Sequence, residues 1–157
     1  MMNFDIIYKT YWQKIYRLCM GFVNDKEWAK DITQDIFIII YKELPKFRNE
    51  ASIGTWIFRI ATNNCLRQIE KSKKMIKTDL YTEIEDIIPV SIEKKTEFLF
   101  KCISELPEID RIIISLELED TKQSEIAIIL GISEVNVRVK IHRIKEKIAK
   151  KFKHYEE

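Results

Sequence analysis

The stretch Gln123-Ser-Glu-Ile126-Ala127-Ile-Ile-Leu-Gly131-Ile132-Ser133-Glu-Val-Asn136-Val137-Arg138-Val139-Lys140-Ile141-His142-Arg143 decides the fold. Its residue types fit the parts of two helices joined by a tight turn. Ala127 is small where the second helix must cross closely over the first. Gly131 permits the left-handed turn that ends the first helix. Ile132 suits a plug beneath the turn, and Ser133 can cap the next helix. On that helix Val137, Ile141, Ile144, Ile148 and Phe152 form one apolar stripe. Arg138, Lys140, Arg143, Lys145 and Lys147 remain for the outside. A helix whose exposed N-terminal half is cationic can enter a DNA major groove while its other groups touch phosphates. A plain helical hairpin with a soluble basic surface would explain the charge. It would not explain why turn glycine, cap, small crossover residue and basic face coincide.

Upstream of this motif the pattern stays helical. Helices are expected over about Ile92–Leu106, from Pro107 to Leu118 with Ile109, Ile112, Ile113 and Leu116 inward, over Lys122–Leu130, and over Glu134–Lys153. Residues 76–91 lose the periodicity and read as a flexible linker. Before it, Tyr8, Tyr11, Trp12, Ile15, Cys19 and Phe22 mark a first amphipathic helix over Asp5–Val23, and Asn24-Asp25 breaks it. A second helix runs over Lys26–Glu43 and Pro45 stops it. After a polar loop at Phe47–Ser52, a third helix covers Ile53–Lys74. The expected architecture is all-α: an N-terminal three-helix bundle in 1–75 and a C-terminal four-helix unit in 92–157 carrying the helix-turn-helix.

Composition agrees. In 157 residues there are only three Gly and three Pro, too few turn formers for an all-β chain. Cys19, Cys65 and Cys102 are odd in number and widely spaced, so neither a disulfide framework nor a zinc site is expected. No signal-peptide core and no run approaching the roughly 20 apolar residues of a membrane span occurs, which points to a cytoplasmic protein. No long extension follows Lys153, so no additional regulatory domain is expected. The net charge of +2 hides segregation: +5 over residues 1–75, −2 over 76–95, −6 over 96–137 and +5 over 138–157. Such blocks suggest that different surfaces meet different partners.

Further motifs lie in the N-terminal half. Asp31-Ile-Thr-Gln34-Asp35-Ile-Phe-Ile-Ile-Ile-Tyr41, then Phe47-Arg48-Asn49, then Thr55-Trp56-Ile-Phe-Arg59-Ile60-Ala61-Thr-Asn63 follow one another within 33 residues. With Leu106-Pro107, Arg111, Leu116, Glu125-Ile126-Ala127 and Gly131-Ile132-Ser133, their order and spacing resemble the extracytoplasmic-function (ECF) sigma factors. These are minimal bacterial promoter-specificity subunits, built from sigma regions 2 and 4.

The resemblance implies roles that suit the residue types. Asp31, Gln34 and Asp35, at i, i+3 and i+4, share a helix face. In the family that face grips the clamp helices of the polymerase β′ subunit. A capped, solvated acidic edge is what the three residues would suggest without the resemblance. Phe47, Arg48, Asn49 and Ser52 match the loop that captures a base flipped out of the melted −10 element. An aromatic wall and amide groups are what an unstacked base requires. Trp56, Arg59 and Asn63 belong to the same segment, and Arg67 and Lys71, with Lys73 and Lys74, would follow phosphates. Gln123, Ser133, Asn136, Arg138, Val139, Lys140, His142 and Arg143 match −35-binding positions, with Lys147 or Lys151 on the backbone. Asn136 suits adenine, and Arg138 or Arg143 guanine. Ile57 stands where primary sigma factors carry a second aromatic, which the ECF pattern also lacks. Departures from the family pattern fall at Tyr41 for Trp, Arg67 for an acid, Asp120 for Gly, Gln123 for Tyr, Asn136 for Thr and Val139 for Ser, with His142 where an aromatic or other residue often reaches DNA.

The implied partners are core RNA polymerase, through its β′ clamp and β flap, promoter DNA, and an anti-sigma factor able to hold the chain at the inner membrane face. No cofactor, metal or small-molecule substrate is implied. An enzyme reading lacks parts: the only histidines, His142 and His154, lie in a basic helix without a nucleophile at motif spacing, and no phosphate loop occurs. The competing reading is a stand-alone helix-turn-helix transcription regulator. Such a protein would carry a ligand or receiver domain in its first 75 residues, usually with strands.

Overall fold

The computed structural model describes residues 3–73 and 92–156, all helix or short turn, with no strand among them. The expected linker, 76–91, lies outside the described residues. Helix α1 spans Phe4–Val23 and α2 Lys26–Glu43. The two residues between them act as separate caps. Asn24 ends α1 in the left-handed conformation (φ 49°), and the Asp25 carboxylate accepts the Trp28 N–H at 2.9 Å to start α2. A 3-10 turn at Leu44–Lys46 contains Pro45, and α3 follows over Ile53–Lys73.

The second half holds α4 (Ile92–Ser104), α5 (Glu108–Leu118), α6 (Gln123–Leu130) and α7 (Glu134–Glu156). Four of its boundaries differ from expectation. Helix α4 stops two residues early, α6 starts one residue later, α7 runs three residues further to Glu156, and Pro107 stands before α5 with an extended ψ of 151°, so it caps the helix from outside. The turn between α6 and α7 follows the sequence logic. Gly131 has φ 69° and donates to the Ala127 carbonyl at 2.8 Å, and the Ser133 hydroxyl accepts the Asn136 N–H at 3.1 Å.

Two apolar side chains expected inside are exposed. Tyr8 lies at the surface, its ring edge-on to Phe37 at 5.1 Å, and Ile7 takes the inward place. Ile109 lies in the first turn of α5, ahead of a run buried on all sides, Ile112 to Leu116. That run explains the architecture. A helix buried all round packs on more than one neighbour, and α5 lies against both α7 of its own half and α1 of the other.

The two halves therefore share one continuous core. α1 packs on α4 and α5, and α3 on α6. Gly21 makes this approach possible: a Cβ there would stand 2.7 Å from Ser115 Oγ and 3.2 Å from Ile103 Cγ2. Polar contacts fix the seam. Arg17 donates to both carboxylate oxygens of Glu119, at 2.6 and 2.9 Å, and this hydrogen bonding holds its proton even more firmly than usual. Arg111 donates to the carbonyls of Leu106 (2.7 Å) and Phe22 (3.1 Å), while partial burial lowers its pKa.

Candidate nucleic-acid and polymerase interfaces

On α2, Asp31, Gln34 and Asp35 are all exposed along one side, while Ile32, Thr33, Ile36 and Phe37 face the core. The same side continues one and two turns on into Ile38, 52% exposed, and Tyr41, 64% exposed. With Phe4, Tyr8, Gln34 and Phe37 these border a shallow groove of about 400 Å³. The apolar period of this helix puts Ala29, Ile32, Ile36, Phe37, Ile39 and Ile40 inward and so leaves Ile38 outside, while Tyr41 stands out in the sequence only as a departure from the family pattern. The signal was the spacing 31, 34/35, 38, 41, which extends the acidic face with apolar residues.

A second hollow, about 160 Å³, opens beside the start of α3 and is lined by Lys46, Phe47, Arg48, Glu50, Ala51, Trp56 and Arg59. The Phe47 and Trp56 rings meet at 5.0 Å and 45°, both half-buried, which makes an apolar wall with one side still accessible. Asn49 turns the loop with φ 57°, a left-handed conformation that asparagine tolerates better than most residues. The Ser52 hydroxyl is committed to the start of α3. It accepts the Thr55 N–H at 3.1 Å and donates to Thr55 Oγ1 at 2.9 Å. Asn63, Arg67 and Lys71 are exposed further along α3. Arg59 reaches across the seam to the Ile128 carbonyl at 3.4 Å.

The basic residues of α7 divide into two sets. Lys140, Lys145 and Lys151 turn back to carboxylates of their own half: Asp110 at 3.4 Å, Glu117 at 3.2 Å and Glu105 at 2.8 Å. Arg138, Arg143 and Lys147 are exposed and have no ion pair among the described residues. His142 lies within 3.1 Å of Glu146 one turn on, both exposed. Asn136 and Val139 are exposed near the helix start, and Gln123 is half-buried at the first position of α6. Part of the charge segregation is thus internal, the acidic block of α4 and α5 facing the basic block of α7.

The helical bundle and the helix-turn-helix unit that follows it each match a known module. Residues 7–75 match the family model for sigma-70 region 2, and residues 99–148 that for sigma-70 region 4. The ECF RNA polymerase sigma factor SigW of Bacillus subtilis is 30% identical over 96% of this chain and 89% of its own. The RNA polymerase sigma-H factor of Pseudomonas aeruginosa is 29% identical over 94% and 84%. Among solved structures, the sigma factor RpoE of Bartonella quintana, in complex with the anti-sigma factor NepR, superposes with a TM-score of 0.75 over 96% of both chains at 14% identity, a likeness of fold. The chain belongs to the ECF RNA polymerase sigma factors. It is a promoter-specificity factor that acts with core RNA polymerase and promoter DNA.

Proposed function

We propose that residues 1–75 engage core polymerase and the melted −10 element, that 92–157 bind the −35 element, and that the two act at once on one promoter. The observation that carries this is the region 2 match on a bundle whose Asp31-Gln34-Asp35 edge faces outward. A helix-turn-helix alone would serve a stand-alone regulator equally well. That edge grips the polymerase β′ clamp, and the C-terminal half meets the β flap. Phe47, Arg48, Asn49, Trp56, Arg59 and Asn63 hold an unpaired base beside the aromatic wall. Ser52 contributes by fixing the loop to the start of α3, and Arg67 and Lys71 follow the backbone. On the −35 side Asn136, Arg138, Val139, His142 and Arg143 face base edges. Ser133 positions α7 by capping it, Gln123 approaches the backbone, and Lys140 keeps its place against Asp110 until a phosphate competes for it. The factor works by binding and catalyses nothing itself. Its place is the cytoplasm, and an anti-sigma factor is a fitting regulator that can hold it at the inner membrane face.

Simultaneous engagement sets a geometric demand. Elements centred near −35 and −10 lie about 80 Å apart along B-form DNA. A packed chain of this length has a radius of gyration of about 15 Å, hence is roughly 40 Å across. The seam between the halves must therefore part on the promoter, freeing Arg59 from the Ile128 carbonyl. The assay is permanganate footprinting with reconstituted holoenzyme. Asn63→Ala should impair opening while sparing binding to −35 duplex, and Arg138→Ala should relax −35 selectivity. Normal opening with the first and full selectivity with the second would remove these residue assignments.

A further inference from the structure

Two of the large apolar side chains exposed on the molecule stand at the start of the recognition helix. Val135 is 62% exposed and Val139 40% exposed. At 100° per residue, positions i, i+4 and i+8 form one slowly turning ridge. Val135, Val139 and Arg143 make that ridge, and it lies opposite the buried Val137, Ile141 and Ile144. Asn136 and Lys147 border it on one side, Arg138 and His142 on the other. An exposed valine standing alone needs no explanation. Two successive valines in the first two turns of a recognition helix, bracketed by cations, occupy the part that enters a major groove most deeply.

We infer that Val135 and Val139 are specificity-determining residues that read thymine C5-methyl groups in the −35 element, one turn ahead of a guanine-reading Arg143. This rests on the sigma-factor reading and deepens it. The chemistry is selective. The only apolar group on a major-groove base edge is the thymine methyl, and a valine surrounded by polar base edges gains nothing from any other base. The surroundings fit the occupant, since Arg138 and Arg143 reach neighbouring base edges while the exposed Lys147, further along the helix, supplies charge to a phosphate at the border of the groove. Water is displaced from the methyl and from both valines, and that gain has no counterpart at cytosine or at uracil.

The test uses holoenzyme reconstituted from core polymerase and the full chain, on synthetic duplexes of a promoter that it transcribes. Each −35 thymine is replaced in turn by deoxyuridine, which removes the methyl and nothing else. The wild type should bind about fourfold more weakly at one or two positions, the worth of one buried methylene-sized group. Val139→Ala should abolish the effect at one of them and Val135→Ala at the neighbouring one, while Arg138→Ala leaves it in place. Both alanine variants keep a strong helix former at an exposed site, so folding is retained. Uracil tolerated at every −35 position, or a loss equally large in both alanine variants, overturns the inference and leaves the sigma-factor reading standing. A holoenzyme that initiates on no promoter overturns that reading and the inference with it.

Discussion

Gly131 turns the chain from α6 into α7 with φ 69°, and open space surrounds the position a Cβ would take. Its constraint is conformational, so Gly131→Ala should cost about 1 kcal/mol, lowering Tm by roughly 2–4 °C for a chain of this size. Gly131→Asn should cost less. Asp120 is the converse case. It follows α5 with φ 59° while the next residue, Thr121, donates back to the Leu116 carbonyl at 3.1 Å. This is a helix-end turn that glycine adopts without strain, which accounts for the family's preference there. Asp120→Gly should raise Tm, and thermal melts of the three variants check both signs. Asp31 and Asp35 test function and not fold, because both are exposed. Replacing both by Lys should abolish co-purification with core polymerase and leave the helical circular dichroism intact. Undiminished co-purification would remove the clamp assignment.

At the scale of elements, α7 combines two uses of positive charge. Lys140 and Lys145 tie it to α5 and Lys151 to Glu105 in the turn before α5, whereas Arg138, Arg143 and Lys147 are left for an outside partner. The sequence treated Lys147 and Lys151 as equivalent phosphate ligands, since spacing along a helix says nothing of which lysine meets a carboxylate of another helix. The structure separates them. Lys147→Ala should flatten the salt dependence of promoter binding by about one unit of slope, and Lys151→Ala should leave it nearly unchanged. Binding measured across a salt series distinguishes the two. Most helices were legible to within a residue or two, because caps such as Asp25 and Ser133 and the 3.6-residue apolar period act locally. In α2 the period places Ala29, Ile32, Ile36, Phe37 and Ile40 inward and leaves Ile38 and Tyr41 outside, as found, whereas Ile39, expected inward, is only half-buried. The groove that Phe4 and Tyr8 of α1 form beside Ile38 was not legible, because a contact between two helices leaves no period in either.

The whole molecule is held shut by α1. Its buried run Leu18 to Phe22, like Ile112 to Leu116 of α5, lacks a polar side, and such runs mark helices packed on two neighbours. Read as sequence they suggested ordinary bundle cores, because two-sided burial between distant segments leaves no local period. Gly21 against Ser115 offers a way to open the seam without touching a DNA or polymerase face. Gly21→Val should raise the radius of gyration in small-angle scattering above the packed value. Arg17→Glu should act in the same direction, and adding Glu119→Arg should restore compactness by reversing the ion pair. An unchanged radius for Gly21→Val would show that the halves are not held by this contact. The central claim concerns initiation, and its most direct test is run-off transcription from a genomic fragment library with core polymerase alone and with this chain added. Discrete transcripts that appear only with the chain, and vanish with the Asp31 and Asp35 lysine variant, are the expected result. Sequence-selective DNA binding without any transcript would contradict the account and point instead to a stand-alone regulator.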